Sequence, residues 1–156
     1  MQKAFGSMYA LAFLCLALAS CATPAGGPEF KPAAAGPGKG VIYVYSLDYP
    51  YGLAKIEVDG KHLATVETRG FVAIPVSAGR HTVLSRKGCI PLCALYDAGR
   101  KVTVDVPDGG SVYLRIDVVF QGMAGTISLY NERFTQIPNE TAAAQIRSTR
   151  KSVGKR

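Results

Sequence analysis

Glycines at 52, 60, 70, 79, 88, 99, 109 and 122 divide the middle of this 156-residue chain at gaps of 8, 10, 9, 9, 11, 10 and 13. Turn signals at such even spacing leave room for short strands and little for helices, the pattern of a β-sandwich or barrel. The segments between them agree. In Lys101-Val102-Thr103-Val104-Asp105-Val106 the valines share one face and the polar residues the other. Val112, Leu114, Ile116, Val118 and Phe120 alternate in the same way. Val41 to Leu47 is apolar at nearly every position, as in a strand covered on both faces. Lys55–Val58 runs into Asp59-Gly60, a preferred hairpin turn, and His62–Val66 returns. With Phe71–Val76, His81–Arg86 and Thr126–Tyr130 this predicts an all-β fold. It is an antiparallel β-sandwich of about seven to eight short strands over residues 41–135. Pro75 places its strand at an edge or bulge.

The ends differ from this middle. Residues 22–40 read ATPAGGPEFKPAAAGPGKG, with 14 of 19 being Ala, Pro or Gly. That composition predicts a semi-extended tether of at most about 65 Å. The formal net charge of +7 is concentrated rather than spread. Residues 41–135 hold ten Lys/Arg against nine Asp/Glu, whereas residues 136–156 hold Arg147, Arg150, Lys151, Lys155 and Arg156 against Glu140. A nucleic-acid-binding domain would carry its charge on a folded face, so no nucleic-acid partner is expected. The tail reads as a solvated basic end, with a short helix capped by Asn139 within its reach. The sharper expectation is contact between its five cations and an anionic surface.

Residues 1–20 read as a secretory signal. Lys3 supplies a basic start, and Met8 to Ala19 is an apolar run of 12 residues, too short for an ordinary spanning helix. The run ends Leu18-Ala19-Ser20-Cys21, which resembles the lipobox of bacterial lipoproteins. The resemblance implies a diacylglyceryl group on the Cys21 thiol, cleavage before that residue and N-acylation. Two or more acyl chains hold a protein stably on a membrane, whereas one holds it marginally. Ala22 follows the cysteine, which in the enteric version of the family is the outer-membrane default.

Val41-Ile42-Tyr43-Val44-Tyr45, Ile56-Glu57-Val58-Asp59-Gly60-Lys61-His62-Leu63-Ala64 and Val76-Ser77-Ala78-Gly79-Arg80-His81-Thr82-Val83 resemble a family of small bacterial lipoproteins. The domain they share has no assigned function. The V-D-G-x-x-L and x-G-x-H-x-V elements are also similar to PEGA-type surface modules. The likeness spans roughly residues 40–135 and implies fold and location, with no catalytic residues to carry over. Gly88-Cys89-Ile90-Pro91-Leu92-Cys93 departs from the family pattern.

With Cys15 removed and Cys21 acylated, Cys89 and Cys93 remain. In an oxidising envelope they are expected to form a disulfide. Fully extended they would lie about 13 Å apart, so the bridge requires a turn, which Pro91 favours. Two alternatives stay open: a Cys-x-x-x-Cys redox pair, and a metal set with His62 and His81, although neither histidine has ligand spacing to the cysteines. No metal and no cofactor are expected, and both histidines, following hairpin turns, are expected to be exposed. Tyr43, Tyr45, Tyr49 and Tyr51 are the aromatic concentration. Tyr43 and Tyr45 have strand spacing, which leaves Tyr49 and Tyr51 as candidate glycan contacts. No nucleophile elbow, phosphate loop, His-Glu-x-x-His pair or dinucleotide fingerprint is present, and the expectation is not an enzyme. The functional expectation is a lipid-anchored envelope protein, at the outer membrane, whose sandwich contacts another envelope protein or cell-wall polymer. The alternative is a glycan- or peptidoglycan-binding lipoprotein.

Overall fold

A computed structural model describes residues 24–49, 52–87, 99–124 and 127–153. The strands are β1 (Lys39–Ser46), β2 (Leu53–Val58), β3 (Lys61–Glu67), β4 (Gly70–Ser77), β5 (Gly79–Lys87), β6 (Arg100–Val106), β7 (Ser111–Ala124) and β8 (Ile127–Ile137). A helix, α1 (Asn139–Ile146), and a two-residue strand, β9 (Arg150–Lys151), complete the order. They form two sheets, β8-β7-β1-β4-β9 and β3-β2-β5-β6. The fold is the all-β sandwich that the glycine spacing predicts. Most neighbours are antiparallel, but β1 lies parallel to β7, and β4 to β9.

Alternation along the strands puts one apolar set between the sheets. Ile42 and Val44 from β1, Ile56 from β2, Val83 from β5, Val104 from β6, and Leu114 and Ile116 from β7 meet there. The odd-numbered residues of β1 face the other way, yet they too are buried, which is why the strand reads as apolar throughout. Val41, Tyr43 and Tyr45 form a second core with Phe71 and Tyr113. Tyr43 stacks on Tyr113, with ring centroids 5.0 Å apart and planes 15° from parallel.

What covers this second face corrects the reading of both chain ends. The segment assigned as a tether is fastened to the domain at Ala25, Gly27, Phe30 and Ala33, although 31–34 and 36–39 are exposed. Ala25 N–H donates to the Thr68 carbonyl (2.9 Å) and Gly27 N–H to that of Lys151 (3.1 Å). Phe30 sets its ring edge against Tyr43 and Phe71 at 5.3 and 5.4 Å. A Cβ on Gly27 would collide with the Lys151 carbonyl, so only glycine lets these two backbones approach. The supposed solvated tail is likewise part of the fold. Ala142 and Ile146, one turn apart on α1, are fully buried in the second core. Pro138, rather than Asn139, occupies the N-cap position, and no side chain caps the helix. Eight residues without a cap do not hold a helix in water, so docking holds this one. Beyond it, β9 pairs with Gly70 and Phe71. Pro75 lies past the reach of β9, on an edge where its missing N–H costs nothing.

Candidate functional site

Two polar constellations fasten the sandwich, one at each end. At the β2–β3 turn, Asp59 (φ 50°) and Gly60 (φ 79°) take the left-handed conformations of a tight hairpin. The Asp59 carboxylate then reaches across to β5. Oδ1 accepts the Thr82 N–H at 2.9 Å, and Oδ2 lies 2.6 Å from His81 Nδ1. His81 Nε2 is 2.9 Å from the Ser77 carbonyl and 3.4 Å from Ser77 Oγ. This corrects the expectation for His81, which is buried at 9% exposure. His62 is exposed and faces Glu57 across the β2–β3 ladder.

The set Ser77, His81 and Asp59 has the composition of a nucleophilic triad, but its geometry differs. Both ring nitrogens face oxygen acceptors, which only the doubly protonated imidazolium satisfies, and Nε2 is committed to a carbonyl instead of the hydroxyl. The bond to Asp59 raises the His81 pKa above its ordinary 6.5 against a smaller effect of burial. The Thr82 N–H, and then His81, lower that of Asp59. The constellation is therefore an ionic clamp between hairpins.

Its pH window follows from those directions. The His81 contribution is present below about pH 6.5 and is lost as pH rises through the raised folded pKa. The Asp59 contribution is present above about pH 3.8 and is lost as pH falls through the lowered folded pKa. Asp59→Asn keeps a residue that tolerates the turn and an oxygen for Thr82 N–H, but removes the charge. We expect the wild-type melting temperature to fall more between pH 6 and pH 9 than that of Asp59→Asn. Equal falls in thermal scans would contradict the clamp.

At the other end, Glu132 of β8 is buried at 4% exposure. Tyr49 Oη donates to its Oε2 (2.9 Å) and Ser85 Oγ to its Oε1 (2.8 Å). One carboxylate thus joins both sheets and the β1–β2 connection. Arg100, at the start of β6, closes the same seam. Its Nε donates to the Glu132 carbonyl (3.0 Å), and one terminal nitrogen donates to Asn131 Oδ1 (2.6 Å). A cleft of about 400 Å³ opens alongside, lined in part by Arg100, Lys101, Gln121, Asn131 and Arg133. Its donors suit an oxygen-rich ligand, while both Glu132 oxygens are already engaged within the protein.

The residues singled out from sequence fare unevenly. Tyr49 does not offer a ring to a glycan: it is fully buried, its hydroxyl serves Glu132, and its carbonyl accepts the Thr68 hydroxyl. Tyr51, Cys21, Cys89, Cys93, Lys155 and Arg156 lie outside the described residues. Arg147, Arg150 and Lys151 are exposed, and Arg150 pairs with Glu29 at 2.8 Å. Among the described residues no group of three or more metal-ligating side chains converges. No helix there is long and apolar enough to cross a membrane. Sequence reasoning missed Glu132, although it shares strand parity with the buried Phe134, and a charge at core parity is a signal. Comparison with family models, curated proteins and solved structures finds no match for this chain.

Proposed function

We propose that this chain is a non-enzymatic lipoprotein of a bacterial envelope, fixed to the outer membrane by acyl groups on Cys21, and that its sandwich contacts another envelope component. The observation that carries the reading is the run of basic start, 12-residue apolar core, two small residues and cysteine ending at Leu18-Ala19-Ser20-Cys21. The packing at Pro24 adds to it. Pro24 bridges to Thr68, and Cys21 precedes it by three residues, a span of at most about 10 Å. A domain so attached sits against its membrane instead of on a long leash. Neither polar constellation offers a free nucleophile–base pair, since His81 Nε2 faces the Ser77 carbonyl and both Glu132 oxygens accept hydroxyls, which supports the non-enzymatic reading.

Labelling with palmitate in the native host is the test. The wild-type chain should incorporate label into the membrane fraction, and Cys21→Ser should incorporate none. Undiminished labelling of the variant would refute the assignment.

A further inference from the structure

Strand register shows that one end of the sandwich collects several unusual features. β4 begins where β1 ends, with Phe71 opposite Tyr45, and β9 and the Pro24–Thr68 bridge lie at that same level. β7 runs parallel to β1 with Ile116 beside Ser46. It then continues eight residues to Ala124, with β8 paired alongside. Val118 still packs on the core and its partner Glu132 is buried, so the part of the β7–β8 hairpin that projects beyond the sandwich is about six residues, roughly 20 Å.

This arm is apolar where it leaves the sandwich. Phe120 and Tyr130 continue the parity of the core positions Ile116 and Phe134, beyond the layer that would cover them. Their rings meet edge to face at 5.6 Å, and they remain 54% and 48% exposed. Met123 is exposed further out. Among the described residues, six large apolar side chains are exposed: Leu53, Leu63, Phe120, Met123, Tyr130 and Val153. Phe120, Met123 and Tyr130 are on the arm, and Leu53 and Val153 lie at the same end on the other side of the sandwich. Such clustering is uncommon for a surface that meets only water.

Charge points the same way. Arg69, in the turn beside Thr68, and Lys151, on β9, are exposed at this level, together with Arg150. Glu29 pairs with Arg150, while Glu67 accepts the Val153 N–H and keeps its charge, so this edge presents Arg69 and Lys151 with Glu67 among them. The aromatic and thioether side chains are on the β7–β8 side of the sheet and the cations on its β4–β9 side, at the same end. Rings that enter a headgroup region and cations that meet phosphate suit the boundary of an anionic bilayer.

We propose that this end of the sandwich is a lipid-facing surface. Phe120, Met123 and Tyr130 enter the interface of an anionic membrane, and Arg69 and Lys151 contact its headgroups. The orientation deepens the lipid-anchor reading and rests on it, because an anchor three residues before Pro24 would place this end nearest the bilayer.

The chain has no tryptophan, so a single indole reports its own surroundings. Full-length protein isolated from the host, carrying Phe120→Trp, Met123→Trp or Leu63→Trp, is placed in vesicles of phosphatidylcholine and phosphatidylglycerol with brominated acyl chains. Indoles at 120 and 123 should be quenched and blue-shifted, and the indole at 63 should not. Adding Arg69→Gln and Lys151→Gln should weaken the bilayer contact reported by quenching at 120 at low salt, by about fivefold in its equilibrium constant for each cation removed, with less effect at high salt. Quenching at 120 and 123 no greater than at 63 would overturn the proposal. That result would equally exclude bilayer contact if the arm instead docks a protein. The mass of the same sample separates the two claims. Acylated but unquenched protein refutes the orientation and leaves the anchor standing, whereas unacylated, quenched protein does the reverse.

Discussion

Truncation after Ile137 is expected to cost the protein on the order of 5 kcal/mol of stability, a large part of what a domain of this size has. The removed residues bury Ile146 and Ala142 against Tyr43 and Tyr45 and supply β9 to the edge of β4. Full burial of one large aliphatic side chain contributes about 1.5–3 kcal/mol, and truncation also uncovers the aromatic face it meets. Gln145 adds a polar tie. Its Oε1 accepts from Tyr45 Oη at 2.6 Å and from Arg115 at 2.9 Å, and Arg115 is also bridged to Asp117. Burial raises the Tyr45 pKa, so the phenol keeps its proton and its role as donor. Ile146→Ala isolates the packing contribution, because alanine preserves helix propensity while leaving a cavity, and should cost about 3 kcal/mol. Denaturant unfolding reads both variants. A truncated protein with an unchanged midpoint would restore the solvated-tail reading.

The second large effect belongs to Glu132. Glu132→Ala leaves the Tyr49 and Ser85 hydroxyls buried without their acceptor, each an unmet donor costing about 1–3 kcal/mol. The expected loss is about 3 kcal/mol. Glu132→Gln keeps one carbonyl acceptor and should lose less, and Tyr49→Phe, which removes one donor and its bond, about 2 kcal/mol. If Glu132→Ala costs no more than Tyr49→Phe in equilibrium unfolding, the carboxylate is not the tie between the sheets. These costs should add to that of the pH clamp, because His81 lies four residues from Ser85 along β5, about 13 Å away, and the two sites share no partner.

The sandwich was legible because its signals are local. Glycine spacing marks the turns, Asp59-Gly60 specifies a hairpin, and alternation in β6 and β7 names the inward residues. The apolar run of β1 foretold a strand covered on both faces, but not what covers it. That cover comes from Phe30, 13 residues before Tyr43, and from Ala142 and Ile146, about a hundred residues after it, and no local pattern ties either to the strand. Phe30 alone among small residues, and an Ala-to-Ile pair at helical spacing, were the faint traces. Composition outweighed them, since proline and alanine in one segment and arginine in the other both suggest solvated chain. The parallel pairing of β1 with β7 had the same cause: sequence-adjacent turns imply antiparallel neighbours, while a strand returning from the other sheet leaves no local mark. A position just after a turn predicts exposure for His81, which is buried. Its partner lies in the preceding hairpin, 22 positions away.

The proposed lipid anchor turns on Cys21. The decisive measurement is the mass of the N-terminal peptide of the protein extracted from its native membrane. Lipid anchoring predicts a peptide beginning at Cys21 and heavier than its sequence by a diacylglyceryl group and a further acyl chain. An N-terminus elsewhere, or an unmodified Cys21, would contradict it.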